Sequence, residues 1–168
     1  MTERVNKLRR IVNNLNRLPQ GLRIRGLTFA VGSVVKFAGT AKVEILEMTQ
    51  TRLHARIRNR KIVQNHIGSL HAAAMALLAE SVTGLVVGMN VPDNRTPVIK
   101  LMKIDYVRRA KGDLEAVATI TEDDVARIRS SEKGYITVPV KVTDADGHEP
   151  IQCEMIWAWT PKRSRQRS

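Results

Sequence analysis

Residues 65–80 read Asn65-His66-Ile67-Gly68-Ser69-Leu70-His71-Ala72-Ala73-Ala74-Met75-Ala76-Leu77-Leu78-Ala79-Glu80, a polar turn followed by an almost unbroken apolar run with one acid. The apolar run continues beyond Glu80 and predicts burial. A charged side chain is almost never fully buried unless it is paired or has a function, because burying an unpaired carboxylate costs free energy. Glu80 is therefore the first candidate for a functional residue.

The composition limits the class of protein. The chain has 168 residues, enough for one ordinary domain, and its hydrophobic fraction of 43% can fill a core. A single cysteine, Cys153, excludes an internal disulfide framework and is typical of a reducing compartment, so we expect a cytoplasmic protein. Cys153 alternates with Ile151, Met155 and Trp157, which predicts a small core side chain. The charged N-terminus shows no secretory signal.

The charge balance points to polyanionic partners. The chain has 28 basic and 16 acidic residues, a net charge of +12. Four of the basic residues lie in the tail 161–168, which we predict to be disordered. Charge alone is compatible with nucleic acid, an anionic membrane surface or a phosphate-rich ligand.

A long buried helix is predicted over residues 70–89, with Ser69 as its N-cap. The segment is long enough to cross a bilayer, since about 20 residues suffice. Polar residues in its middle, Glu80 and Thr83, and the absence of flanking Trp or Tyr favour a central helix covered by a sheet instead.

The other predicted elements are one amphipathic helix and a series of strands rich in Val, Ile and Thr. Pro19-Gln20-Gly21 is expected to end the helix, and residues 122–129 could be a loop or a helical turn. The predicted helix covers residues 4–18, and the predicted strands cover residues 40–48, 51–58, 98–107, 114–121, 135–143 and 151–160.

This order of elements indicates an α+β fold. A helix, two strands, one buried helix and four strands are typical of an antiparallel sheet that packs on a long helix. No internal repeat, linker or second core is visible. We therefore predict a single domain over residues 1–168.

The quoted turn and helix resemble the signature of hotdog-fold acyl-CoA thioesterases of the PaaI-like, phenylacetate-pathway type. In that signature an Asn precedes a Gly-(Ser/Thr)-Leu-His-Gly-Gly turn and an acid follows nine residues after the His, as do Asn65, Gly68, His71 and Glu80 here. The resemblance covers about residues 38–160. It implies a hotdog fold, an antiparallel sheet wrapped around the long central helix, with the N-terminal helix as an addition.

The resemblance also implies an activity, the hydrolysis of acyl-CoA thioesters to a free acid and CoA. Glu80 would be the general base or nucleophile. The backbone N–H groups of Ala72 and Ala73, which replace the two glycines of the family, would polarise the thioester carbonyl. Asn65 would orient water or the thioester, and His71 would bond the helix start or the carbonyl. No cofactor is implied beyond the CoA of the substrate.

Each of these residues also has a purely structural interpretation. Glu80 could be a buried carboxylate bonded to neighbouring hydroxyls, His71 could cap the helix, and Asn65 could be a turn residue. The four histidines show no metal-ligand spacing, so we predict no metal site.

Substrate contacts are expected from the turn, the helix and one strand end. Gly68 would lie against the substrate, and Met75 and Leu78 would line the acyl pocket. Arg108 and Arg109 are candidates for phosphate contacts, because guanidinium groups fork onto phosphate oxygens.

Helical geometry predicts a dimer. Nine residues at about 100° each put Glu80 on the helix face opposite His71, roughly 13 Å along the axis. Two antiparallel copies of the helix could bring His71 of one chain near Glu80 of the other. The resemblance implies the same arrangement, a homodimer with composite active sites, often within a larger oligomer such as a dimer of dimers.

Two alternative functions stay open. A non-catalytic hotdog module would bind an acyl thioester or acyl chain without hydrolysing it, and Ala72-Ala73 in place of two glycines favours this interpretation slightly. A nucleic-acid-binding protein is supported only by the charge and the tail, since no motif combines basic and aromatic residues for stacking.

Overall fold

The computed structural model describes residues 6–162. It contains five α-helices and seven β-strands in that range, with a short 3-10 turn, Lys61–Val63, after β2. The elements are α1 Lys7–Leu15, α2 Gln20–Val34, α3 Lys36–Ala41, β1 Glu44–Met48, β2 Arg52–Ile57, α4 Ala72–Gly88, β3 Arg95–Tyr106, β4 Leu114–Thr119, α5 Glu122–Ser130, β5 Gly134–Thr137, β6 Val140–Asp144 and β7 Ile151–Pro161.

The strands form two antiparallel sheets around α4. One has the order β1-β2-β4-β6 and the other has the order β3-β7-β5. The central helix packs on β2 and β4 of the first sheet and on β3 and β7 of the second. Most of its side chains are buried, because a helix that is apolar on all sides is stable only when surrounded. At its first turn, Tyr106 Oη of β3 donates a hydrogen bond to the Ala72 carbonyl at 3.0 Å.

The α+β class, the central helix and the β1–β2 hairpin follow the sequence predictions. The segment 135–143, predicted as one strand, is two strands in different sheets. Pro139 lies between β5 and β6 and has no backbone N–H for a sheet. Residues 122–129, left open between a loop and a helical turn, belong to α5, whose N-cap Thr121 forms a capping box with Asp124.

The N-terminal region has three helices where the sequence predicted one. The predicted helix 4–18 corresponds to α1, and residues 40 and 41 of the first predicted strand belong to α3. Helices α2 and α3 pack closely through two glycines, since a Cβ on Gly39 would come within 2.6 Å of the Gly32 carbonyl oxygen. Pro161 ends β7, whereas residues 163–168 of the predicted tail lie outside the described residues.

Candidate active site

The polar turn before α4 is held by Asn65. Its Oδ1 accepts hydrogen bonds from the backbone N–H groups of Ile67 and Ser69, each at 3.1 Å. Gly68 has a φ of 74°, a left-handed conformation that favours glycine. Asn65 thus shapes the turn through its carbonyl oxygen. Its Nδ2 group makes no hydrogen bond within residues 6–162 and is available to a ligand.

Arg109 fastens the same turn to the end of β3. Its Nε donates to Ser69 Oγ at 2.7 Å and its Nη2 donates to the Ile67 carbonyl at 2.8 Å. Two of its donors are therefore committed to the protein. Arg108 is exposed, and its side chain makes no hydrogen bond to the residues the structure describes.

His71 is the N-cap of α4, in place of the predicted Ser69. Its backbone is extended and its Nδ1 accepts the Ala73 N–H at 3.0 Å. Because Nδ1 is the acceptor, the neutral ring carries its proton on Nε2. A residue outside the helix does not follow the 100° spacing that put His71 opposite Glu80. His71 instead lines a cavity of about 170 Å³ together with Ala73 and other residues of the first turns.

One backbone N–H at the start of α4 is free. The Ala73 N–H is taken by His71 Nδ1, and the next two N–H groups, of Ala74 and Met75, donate to the His71 carbonyl. The Ala72 N–H has no partner within residues 6–162. Of the two predicted carbonyl donors, Ala72 is thus the available one.

Glu80 lines an apolar cavity of about 460 Å³ that extends to the start of α4. This cavity shares Phe37, Ala73 and Leu77 with the cavity beside His71, so the two adjoin along the same face of the helix. The other residues of the Glu80 cavity are Val35, Ala76 and Met102. Sequence reasoning missed Val35, Phe37 and Met102, which come from segments that carry no motif.

Met75 and Leu78 do not line this cavity. Their exposed fractions are 6% and 0%, and both are part of the hydrophobic core. The reason is rotational: at about 100° per residue, Leu78 lies on the side of α4 opposite Glu80. Their predicted contact with the acyl group is therefore not supported at this cavity and stays a prediction.

The Glu80 carboxyl is half-buried, and this burial raises its pKa above the ordinary value. Ser81 Oγ next to it is buried and has no hydrogen-bond partner among residues 6–162, so burial is the cause of the raised pKa. A carboxyl with a raised pKa, on an apolar cavity, is better suited than an ordinary carboxyl to accept and return a proton.

Residues 6–162 contain neither a cluster of metal-binding side chains nor a helix that could span a membrane. Within residues 6–162, no group of three or more His, Cys, Asp or Glu side chains could hold a metal ion. In the same range, no helix has both the length and the apolar character that crossing a bilayer requires.

Solved structures share this architecture. A Pseudomonas aeruginosa protein of unknown function, PA5026, described as a probable thioesterase, is 20% identical, has a TM-score of 0.73, and aligns over 86% of this chain and 97% of its own. The Haemophilus influenzae thioesterase HI1161 is 13% identical with a TM-score of 0.66, over 86% and 94% of the two chains. A mutant thioesterase from Pseudomonas aeruginosa, PA1618, is 16% identical with a TM-score of 0.66, over 80% and 94%.

The class of protein that follows is the hotdog fold, as the sequence predicted. A family model, a domain of unknown function called DUF4442, matches residues 25–159, and the chain belongs to this family. Among curated proteins, none matches this sequence. The match contains the turn, α4 and Arg109, whereas α1 precedes it.

Proposed function

We propose that this protein hydrolyses thioesters and that its substrates are acyl-CoA molecules. The observation that carries the proposal is one apolar cavity lined both by Glu80 and by Ala73 at the start of α4. Because the start of α4 and Glu80 of one chain are about 10 Å apart along the helix axis, one thioester would meet the helix start of one chain and Glu80 of the partner subunit in the dimer proposed below. Three structural neighbours that are called thioesterases support the reaction type.

The proposed reaction uses the free N–H at the helix start. The thioester carbonyl oxygen accepts a hydrogen bond from the Ala72 N–H, and the positive end of the helix dipole stabilises the charge that develops on it. Asn65 Nδ2 and His71 Nε2–H are the nearby donors that could orient the carbonyl or a water molecule. Both have free donors on the side of the helix start.

Glu80 of the partner subunit supplies the proton transfer. In the general-base route its ionised carboxylate takes a proton from water, whose oxygen attacks the carbonyl carbon. The tetrahedral intermediate collapses, the carbon–sulfur bond breaks, and the proton passes from Glu80 to the leaving thiolate. In the nucleophilic route the carboxylate attacks the carbonyl carbon, the carbon–sulfur bond breaks and the CoA thiolate leaves. Water then hydrolyses the resulting anhydride to the free acid and a protonated Glu80, which gives its proton to the thiolate.

The CoA part of the substrate is proposed from charge. CoA carries phosphates, and the chain has a net charge of +12. Arg108 remains the first candidate for a phosphate contact, because it is exposed with no partner among the described residues. Arg109 has remaining donors but also holds the turn.

A homodimer is part of the proposal. β3 is at the edge of its sheet, and an edge strand offers unpaired backbone groups to another chain. Ile99 and Met102 are apolar yet 40% and 49% exposed, and Met102 lines the Glu80 cavity. A second copy that pairs along β3 would cover both side chains and close the cavity. A dimer of dimers is proposed from the resemblance alone.

The test is hydrolysis of an acyl-CoA panel by Glu80→Gln. A lost base or nucleophile should lower kcat by about 10²-fold to 10⁴-fold, with little change in folding. The matched control is Glu154→Gln, which removes an exposed carboxylate on β7 and should keep full activity. Full activity of Glu80→Gln across the panel would refute the catalytic role.

A second function is favoured by one observation. The Ala73 N–H is occupied by His71, so the helix start offers fewer donors to a carbonyl than the two alanines suggested. A binding module would show saturable acyl-CoA binding, measured by calorimetry, without release of free CoA thiol. Thiol release at a rate that saturates with substrate excludes this alternative.

A further inference from the structure

A second cavity adjoins the Glu80 carboxylate. It has a volume of about 210 Å³ and shares Val35 and Glu80 with the larger cavity, so the two spaces meet at the carboxylate. Apart from Glu80 and Ser81, its walls are apolar side chains and glycines: Leu8, Val35, Gly84, Leu85, Gly88, Pro97 and Trp157. Such a lining suits a hydrocarbon and offers almost nothing to a polar ligand.

Helix α1 forms one end of this cavity through Leu8. The position of α1 is fixed by Asn6, a buried residue whose Nδ2 donates to the carbonyls of Gly88 and Val91 at 2.8 Å and 2.7 Å. Asn6 Oδ1 also caps α1 by accepting the Arg9 N–H. Leu8 is therefore held against the C-terminal end of α4 and is a wall of defined position.

Two glycines on α4 shape the walls of this cavity. At Gly84 a Cβ would come within 2.5 Å of the Trp157 ring, so the indole lies directly against the helix backbone. At Gly88 a Cβ would lie 3.6 Å from Leu8 Cδ2, an ordinary van der Waals contact. An added methyl at Gly88 thus fits without strain but occupies the gap between α4 and Leu8.

We infer that this second cavity receives the acyl chain of the thioester and that α1, through Leu8, limits the length of chain that fits. This inference rests on the proposed function, because it takes the scissile carbonyl to lie beside Glu80. The helix α1 that sets this limit precedes residues 25–159, the region matched by the family model.

The experiment compares chain-length profiles. Values of kcat/KM are measured for saturated straight-chain thioesters from acetyl-CoA to palmitoyl-CoA with the wild type, Leu8→Ala and Gly88→Ala. The measured quantity is kcat/KM for each acyl chain divided by kcat/KM for the chain length that the wild type prefers. Leu8→Ala should raise this ratio about tenfold or more for chains just longer than the preferred one. Gly88→Ala should instead favour shorter chains. The control Leu15→Ala removes a leucine of α1 that packs on Gly26 instead, and should keep the wild-type profile.

A binding measurement separates the inference from the proposed function. Non-hydrolysable thioether analogues of the same acyl-CoA series are titrated while Trp157 fluorescence is followed, with Trp157→Phe as the reference. Chain-length-dependent affinity that shifts in Leu8→Ala and Gly88→Ala supports the acyl cavity even if no hydrolysis occurs. Profiles that are unchanged in both variants, while the wild type hydrolyses thioesters, overturn the inference and leave the proposed function intact.

Discussion

At the scale of single residues, the pKa of Glu80 has consequences for activity. Burial raises this pKa, so the ionised form that accepts a proton becomes the major form only above a midpoint that is higher than the ordinary value of 4.5. We expect kcat/KM to rise with pH through a midpoint above 4.5. A pH–rate profile checks this, and a midpoint at or below that value would contradict it.

The same residue links stability to pH. Between its unfolded and folded pKa values Glu80 binds more protons in the folded protein, so the free energy of unfolding decreases as pH rises through this window. Glu80→Gln lacks this slope. Its melting temperature should exceed that of the wild type at neutral pH, and the difference should vanish below about pH 4.5. Equal melting temperatures at neutral pH would show that burial of the ionised Glu80 carboxylate does not lower the free energy of unfolding.

Cys153 gives a second prediction at this scale. The side chain is half-buried, and burial, with Asp105 nearby, raises the pKa of its thiol to about 11. Because the thiolate is the reactive species, we expect iodoacetamide to modify Cys153 slowly in the folded protein and quickly in denaturant. Equally fast modification in both states would disprove it. Alternation along β7 predicted a core position, and the structure leaves Cys153 half-buried at the edge of that core.

The sequence predicted candidate site residues but not their geometry. Glu80 was identified because a carboxylate in an apolar run needs a reason, whereas Asn65, Gly68 and His71 were selected because they match the family signature. Met75 and Leu78 do not line the Glu80 cavity, and the sequence could not show this because α4 is apolar on every side and does not reveal which face meets a cavity. Ser69 was predicted as the N-cap because serine is a usual N-cap residue, whereas capping by His71 was only the structural alternative to its catalytic role.

At the scale of elements, a buried hydrogen bond that connects α4 to β7 can be tested. Thr83 Oγ1 accepts the Trp157 Nε1–H at 2.9 Å and donates to the Ala79 carbonyl at 2.8 Å. Thr83→Val keeps the shape but leaves the buried indole N–H without a partner, which should cost about 1–3 kcal/mol in free energy of unfolding. Urea denaturation measures this loss. The exposed control Thr119→Val should stay close to the wild type.

Long elements with clear patterns were predicted, and elements without them were not. The helix expected over 70–89 is α4, Ala72–Gly88, and the two hairpin strands begin four residues and one residue after their predicted starts. Helices α2 and α3 were missed because glycines and β-branched residues disfavour isolated helices. Here Gly32 and Gly39 permit a close helix contact that only the tertiary structure reveals.

At the scale of the whole molecule, the proposed dimer depends on the β3 edge. On β3, Leu101 pairs with Ile156, and Met102 pairs with the buried Met155. Because neighbouring side chains of a strand point to opposite faces and Met102 lines the Glu80 cavity, Leu101 faces away from that cavity. Leu101→Lys should therefore weaken self-association by about tenfold or more without altering the cavity lining. Light scattering across a concentration series measures this. Phe29→Lys, which changes a 78% exposed side chain on α2, is the control and should leave the dimer intact.

Loss of the dimer should also reduce thioester hydrolysis, since a second copy is proposed to close the cavity. A Leu101→Lys monomer with undiminished kcat/KM would show that one chain forms a complete site. That result would remove the dimer from the mechanism but leave the acyl-chain cavity unchanged, because all residues of that cavity come from one chain.

The two-residue connection Val138-Pro139 joins β5 of one sheet to β6 of the other, so we expect the two sheets to unfold together. β5 and β6 are outer strands of different sheets, so peeling either one away pulls directly on the other. In native-state deuterium labelling, the slowest amides of both sheets should share a single opening energy equal to that of complete unfolding. If the amides of one sheet exchanged with a lower opening free energy than those of the other, this short connection would not couple the unfolding of the two sheets.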